Sequence, residues 1–502
     1  MVVNWKVVAG TLGALLAFVG ISLLLPMGVG LYYGEPSWWS FGVAAALAMG
    51  LGGGTWYGLR KRDADADLGI REAFAVVALT WLVLSLVGSL PFVLGGVLDS
   101  YTDAFFETMS GFTTTGATIL GGADTPAIES IPRGFLFWRS LAHWLGGMGI
   151  IVLTLAILPI LGVGGMQLFR AEVSGPSADK LTPRVRETAK RLWLVYVGFT
   201  VVQIILLTPA MSLFEAINHA FSTMATGGFS TRNGSVGAYD SAYVDGIITL
   251  FMFLGGVNFA LHLRMLRGEA ITVFRDTELR VYVGLVVTAT LLILIGTYRP
   301  SLEVAGWIGD DFEGYATLPE SLRHAVFQAL AIMTTTGFAT ADYEVWSPLA
   351  MGVLFLLCFS GAMAGSTSGG VKLIRHVLLV KNSYREIKQL IHPRALIPIR
   401  LNGSVVSQEV MRNVLSFIVL YLALIGLGTL IMALLGLDLL SAYSASVSSV
   451  GNVGPAFGTV GPTENYAHIP PTGKWVLALL MMAGRLEIFT VLILFAPAFW
   501  RR

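Results

Sequence analysis

Four short stretches rich in threonine and glycine return along this chain: "SGFTTTGATI" (Ser110–Ile119), "STMATGGFST" (Ser222–Thr231), "AIMTTTGFAT" (Ala331–Thr340) and the looser "SSVGNVGPAF" (Ser448–Phe457). Aligned on Gly116, Gly227, Gly337 and Gly454 they are separated by 111, 110 and 117 residues, a near-constant period that marks an internal repeat. Each follows a moderately apolar segment too short to cross a bilayer, "SYTDAFFETMSGF", "SLFEAINHAFSTM", "SLRHAVFQALAIM" and "LLSAYSASVSSVG". Segments of that length between longer apolar runs read as re-entrant. The predicted unit is therefore span, short helix, glycine-containing loop, span, four times over.

The surroundings fit a membrane. Charged residues make up 13% of the 502 and hydrophobic ones 55%, against about 25% charged in soluble domains. Apolar blocks lie at roughly 5–33, 38–59, 73–97, 134–162, 190–212, 243–265, 280–298, 346–380, 411–436 and 473–499. The first reaches the ~20 residues that a crossing requires, and a second follows closely, which argues against a removable signal peptide. The expectation is an all-α polytopic membrane protein: residues 1–72 as a two-helix domain, then pore repeats over 73–170, 171–267, 268–405 and 406–502.

With the N-terminus in the cytoplasm, 25 of the 32 lysines and arginines fall on inner segments and 6 on outer ones, Arg485 lying within a span. The positive-inside rule supports that orientation, with both termini cytoplasmic. A net charge of +1 excludes a strongly basic nucleic-acid binder. The single cysteine, Cys358, sits in an apolar run, where packing is its expected role.

Extended backbone at membrane depth leaves amides and carbonyls without helix partners, and it is tolerated only in protein or beside water. Four such loops around one axis can aim carbonyls inward and replace a cation's hydration shell. Glycine reaches the backbone angles that such loops need. The helix preceding each loop directs its negative C-terminal dipole end at the ion. The candidate ligands are Thr114, Thr115 and Gly116; Ala225, Thr226 and Gly227; Thr335, Thr336 and Gly337; Asn452, Val453 and Gly454.

Two further features stand out. The run Gly361, Ala362, Met363, Ala364, Gly365, Ser366, Thr367, Ser368, Gly369, Gly370 interrupts the eighth block; each glycine in a helix costs about 1 kcal/mol against alanine. It reads as an unwound loop under the filter that blocks the pore, with close helix packing as the alternative. Arg485, inside the last block, is expected to face the pore and tune cation residence, or to pair with Glu487. Glu107, Glu215 and Asp103 could concentrate cations at the outer mouth or simply be solvated. His143, His219, His262 and His324 lack metal-ligand spacing and read as structural.

The residues also resemble a known family, the Trk/Ktr/HKT potassium transporters, and within it the TrkH branch. The resemblance is carried by "WRSLAHWLGGMGIIVLTLAILP" (Trp138–Pro159), "AEVSGPSADKLTPRVRETAKRLWLVY" (Ala171–Tyr196), "FLGGVNFALH" (Phe253–His262), "SGAMAGSTSGGVKLIR" (Ser360–Arg375), "IHPRALIPIRLNG" (Ile391–Gly403) and "MAGRLEIFTVLILFAP" (Met482–Pro497). It implies a pseudo-fourfold, potassium-selective pore in one chain, with Gly116 where some sodium-carrying relatives have serine. It also implies a homodimer in the cytoplasmic (inner) membrane and a TrkA-type regulatory ring that binds ATP/ADP or NAD(H).

This chain shows no P-loop or Rossmann fingerprint, so a nucleotide would bind the partner. No nucleophile or general-base constellation is present, and no enzyme activity is expected. The basic inner segments, particularly Lys372–Arg412, are the expected docking surface for the partner or for anionic lipid. The expected function is potassium uptake through a gated filter; the alternatives are a proton- or sodium-coupled symporter and a non-transporting scaffold.

Overall fold

The computed structural model describes residues 3–60, 69–122, 125–156, 181–304, 312 and 314–500. The end of the fourth apolar block and the start of the first long inner segment, within 157–180, lie outside the described residues, as do Lys61, Arg62, Arg501 and Arg502.

The chain begins with α1 (Trp5–Tyr32) and α2 (Trp38–Arg60), which pack closely. A Cβ on Gly13 or Gly52 would run into the backbone of the facing helix, the small-residue contact that lets membrane helices approach. Then comes α3 (Arg71–Leu94). The short helix α4 (Tyr101–Phe112) follows it, and α5 (Arg133–Ala156) completes the first unit. The pattern repeats as α6 (Leu181–Leu207), α7 (Leu213–Met224), α8 (Ala242–Gly256) and α9 (Phe259–Leu266). The third unit holds α10 (Thr277–Thr297), α11 (Leu318–Met333), α12 (Pro348–Leu357) and α13 (Leu373–Ile391). An antiparallel hairpin, β1 (Arg400–Leu401) with β2 (Ser404–Val405), leads into the fourth. That unit contains α14 (Gln408–Leu434), α15 (Leu439–Gly451), α16 (Pro471–Arg485) and α17 (Phe489–Leu492).

At 12 to 16 residues, α4, α7, α11 and α15 rise only about 18–24 Å, short of the ~30 Å hydrocarbon core. Local chemistry fixes their starts. Ser212 and Glu215 form a reciprocal capping box at α7, Asp438 caps α15 through the Ser441 N–H, and a proline in the first turn opens α11.

A helix falls on every expected apolar block, but three blocks are broken by non-helical residues. Among the described residues five helices are long and apolar enough to cross a membrane, seven if two bent pairs count as one span each. One pair, α8–α9, turns by 99° at Val257–Asn258, where Asn258 caps the second helix through the Ala260 N–H. The other turns by 115° between α16 and α17, with Glu487 and Ile488 at positive φ. The third broken block is α12–α13, whose non-helical segment runs wider than Gly361–Gly370, from Cys358 to Lys372.

Candidate ion pathway

All four short helices end in the same way. Thr114, Thr226, Thr335 and Asn452 take left-handed backbone angles, with φ between 52° and 57°. The following amides of Thr115, Gly227, Thr336 and Val453 reach back to the carbonyls of Ser110, Ser222, Ala331 and Ser448 at 2.8–3.0 Å, the longer bond of a Schellman end. Threonine at positive φ is strained, so the packing around these ends must hold it. Two residues later Gly116, Gly228, Gly337 and Gly454 all have φ between 73° and 96°.

This pattern moves the second loop's register. The glycine equivalent to Gly116 is Gly228, not Gly227, so the second triplet is Thr226, Gly227 and Gly228 instead of Ala225, Thr226 and Gly227. Ala225 takes the ordinary helical angles of a C-cap. The spacings become 112, 109 and 117.

The loops close into a ring. A Cβ placed on Gly116 would lie closer than 3.0 Å to the carbonyl oxygen of Gly227. Gly228 meets Thr336 O in the same way, Gly337 meets Val453 O, and Gly454 meets Thr115 O. Each glycine is thus required by the main chain of the next loop, and the fourth abuts the first. The same four glycines line one vestibule on the side away from the helix ends.

Buried polar groups hold the loops from behind. Glu107, fully buried, accepts from Arg139 Nε (2.8 Å), from Thr118 Oγ1 (3.0 Å) and from the Ile119 N–H (2.9 Å). Arg139 also donates to Ser230 O of the second loop at 3.1 Å and lies over the Phe229 ring at 4.1 Å. His219 is seven residues before its left-handed threonine, as Glu107 is, and its Nε2 bonds Ser230 Oγ at 3.1 Å. His324 holds Thr340 Oγ1 at 3.0 Å, and His262 holds Leu254 O at 2.9 Å. His143 stacks on Phe229.

The acidic residues are therefore not free at a mouth. Glu107 is paired with Arg139, Glu215 with Arg232 (2.6 Å), and Asp103 with Lys474 (2.6 Å). Arg139, one of the six basic residues counted on the outer side, is buried in the second turn of α5. Among the described residues no cluster of His, Cys, Asp or Glu could hold a metal ion.

The interrupted segment between α12 and α13 lies across the helix-end side of the ring. The Gly369 N–H donates to Thr335 Oγ1 at 2.7 Å, and a Cβ there would strike Gly451 O. Thr367 Oγ1 donates to Met224 O at 3.0 Å. Buried, non-helical glycines of this kind are not the close helix packing kept as the alternative. Arg485, 2% exposed, donates to Thr367 O at 2.7 Å and to Gly146 O at 3.4 Å. Glu487 pairs with Arg375 and not with Arg485. Lys372 is buried with its ammonium on Ser368, and Arg375 is buried too, so the basic inner run begins with two structural residues and not with a docking surface.

Comparison with known proteins now decides the family. The TrkH family, described as cation transport proteins, matches residues 42–502. The chain belongs to the TrkH family. It is 41% identical to the Trk system potassium uptake protein TrkH of Salmonella typhimurium, over 99% of this chain and 100% of that one. It is 35% identical to the Trk system potassium uptake protein TrkG of Escherichia coli, over 99% of each. The crystal structure of the potassium transporter TrkH from Vibrio parahaemolyticus superposes with a TM-score of 0.87 at 34% identity, covering 99% of this chain and 100% of that one. As a TrkH-family member it is a multi-pass membrane cation transporter and not an enzyme.

The register of the second loop has a local signal in the sequence. Gly228–Phe229 matches Gly337–Phe338, and aligning on that dipeptide instead of the first glycine selects Gly228.

Proposed function

We propose that this chain is the potassium-conducting subunit of a Trk-type uptake system in the cytoplasmic membrane, with both termini inside. The observation that carries the reading is the closed ring, in which Gly116, Gly228, Gly337 and Gly454 each abut a carbonyl of the next loop and line one vestibule. Main-chain oxygens of Thr114–Gly116, Thr226–Gly228, Thr335–Gly337 and Asn452–Gly454 replace water around the ion. The helix ends add a favourable potential.

Gly361–Gly370 is the gate. It hangs below the ring on Thr335, Met224 and Arg485, so conduction requires those bonds to part. A cytoplasmic TrkA-type subunit binding ATP/ADP or NAD(H) drives that movement, and the chain works as a homodimer. Rubidium uptake into liposomes holding the purified protein tests the reading. Influx that follows the electrochemical gradient and ignores an imposed proton or sodium gradient is expected; accumulation driven by either gradient would instead identify a coupled symporter. Shortening Gly361–Gly370 raises basal uptake if this segment is the gate.

A further inference from the structure

One carboxylate holds both the segment below the ring and the helix that follows it. Glu278, the second residue of α10, is buried. Its Oε1 accepts from the Ala364 N–H at 2.8 Å and from the Ile374 N–H at 3.1 Å. Ala364 lies in the middle of the interrupted segment and Ile374 in the first turn of α13. A single oxygen therefore ties the loop to the helix that follows it, and both to the start of a helix from earlier in the chain.

We propose that Glu278 is the latch of the intramembrane loop, a positioning residue that keeps Gly361–Gly370 across the pathway without itself meeting the ion. The inference rests on the reading of that loop as the gate. The other ties from the loop to the ring, Gly369 to Thr335 and Thr367 to Met224, join neutral partners. Glu278 gathers two main-chain amides on one oxygen and Arg485 brings a charged donor to Thr367 O, so these two side chains hold the loop from opposite sides. Burying a carboxylate is costly, and backbone amides aimed at it are what offset that cost here. Moving Ala364 out of the pathway breaks its bond to Oε1, while Ile374 keeps the carboxylate anchored on the following helix.

The latch also sits where the inner hairpin meets the membrane part. Asp276 caps α10 through the Leu279 N–H at 3.0 Å. Asn402, in the hairpin turn, donates to Asp276 Oδ2 at 2.8 Å and accepts from the Thr277 N–H at 2.9 Å. A pull on the hairpin thus reaches the turn of α10 that carries Glu278, which gives a cytoplasmic regulator a short route to the gate.

The test is basal rubidium influx into liposomes without any partner subunit, for the full chain carrying Glu278→Ala, Glu278→Gln or Glu278→Asp and for a chain with Gly361–Gly370 shortened. Glu278→Ala is expected to raise basal influx several-fold with an unchanged rubidium-to-sodium ratio. Glu278→Gln should fall between it and the wild type, because an amide oxygen accepts both bonds without the charge. In a Cys358→Ala background, a thiol reagent should label Ser366→Cys faster once Glu278→Ala is added.

Wild-type influx in Glu278→Ala beside raised influx in the shortened chain overturns the latch and leaves the gate standing. Unchanged influx in both overturns the gate reading itself. Raised influx with lost ion preference also overturns the latch, since it points to a collapsed filter. Should Glu278→Ala not fold, Glu278→Asp decides, its shorter arm being unable to reach both amides: raised influx supports the latch and wild-type influx overturns it.

Discussion

The side-chain amide of Asn452 donates to Thr115 Oγ1 at 2.9 Å and to Met481 O at 2.9 Å, joining the fourth loop to the first and to α16. The least threonine-rich copy is thereby the one that closes the ring. Asparagine also tolerates the left-handed angles of this position better than threonine. Asn452→Ala removes two buried bonds at once, at a cost of about 1–3 kcal/mol. A lowered unfolding temperature in detergent and a smaller potassium preference in flux assays should both follow.

Gly227 and Gly228 should behave differently under the same substitution. The three atoms nearest a Cβ on Gly227 all belong to the His143 ring, whereas on Gly228 the obstacle is Thr336 backbone and φ is +81°. Gly227→Ala is therefore expected to recover flux when combined with His143→Ala, and Gly228→Ala is not. Equal rescue of both, measured as rubidium uptake, would return the register to Gly227. By the same logic Gly116→Ser should raise sodium permeation.

Breaking the Glu107–Arg139 pair should be costly, because either single change leaves a buried polar group without its partner. Losses of about 3–5 kcal/mol are typical for a severed buried pair. Glu107→Gln and Arg139→Met should each lower thermal stability strongly, and the double variant by clearly less than the sum. Additive losses in that cycle would show that the two side chains are not coupled.

Arg485 separates tethering from charge. Its guanidinium spans the carbonyls of Thr367 and Gly146, which the compact ammonium of lysine cannot do. Arg485→Lys is expected to raise basal rubidium flux nearly as much as Arg485→Ala does. A lysine variant with wild-type basal flux would mean that positive charge alone matters there.

Asn402→Ala removes both bonds between the hairpin and α10. Activation by the proposed cytoplasmic subunit should then fall by roughly 5-fold, the low end of ordinary site-to-site coupling, with ion preference intact. Patch recordings with and without the subunit measure it.

How far the sequence could be read follows from where each signal resides. The short helices were legible because their length and their threonine-glycine ends are local properties. So was the break near Gly361–Gly370, where glycines crowd ten residues. The second loop was misaligned because "TGG" offers two glycines, and only the ring tells which one faces a neighbouring carbonyl. Glu278 was invisible for another reason: its partners lie 86 and 96 residues away, and one acid at a helix start announces nothing. The turn at Glu487–Ile488 was hidden as well: it is a Schellman end, with the Ile488 N–H on Ala483 O at 2.8 Å and Glu487 in the left-handed position, but no glycine marks it.

Because the ring is assembled from one polypeptide, its quadrants are free to diverge, and they have. Among the described residues only the third carries the buried interrupted segment, only the fourth the asparagine clasp and the arginine, and only the first the Glu107–Arg139 brace. A homotetrameric pore must repeat any change four times and move in concert. With Gly361–Gly370 as the proposed gate, one displaced segment clears the way, so opening within a chain is expected to be a single-step event without intermediate conductance levels.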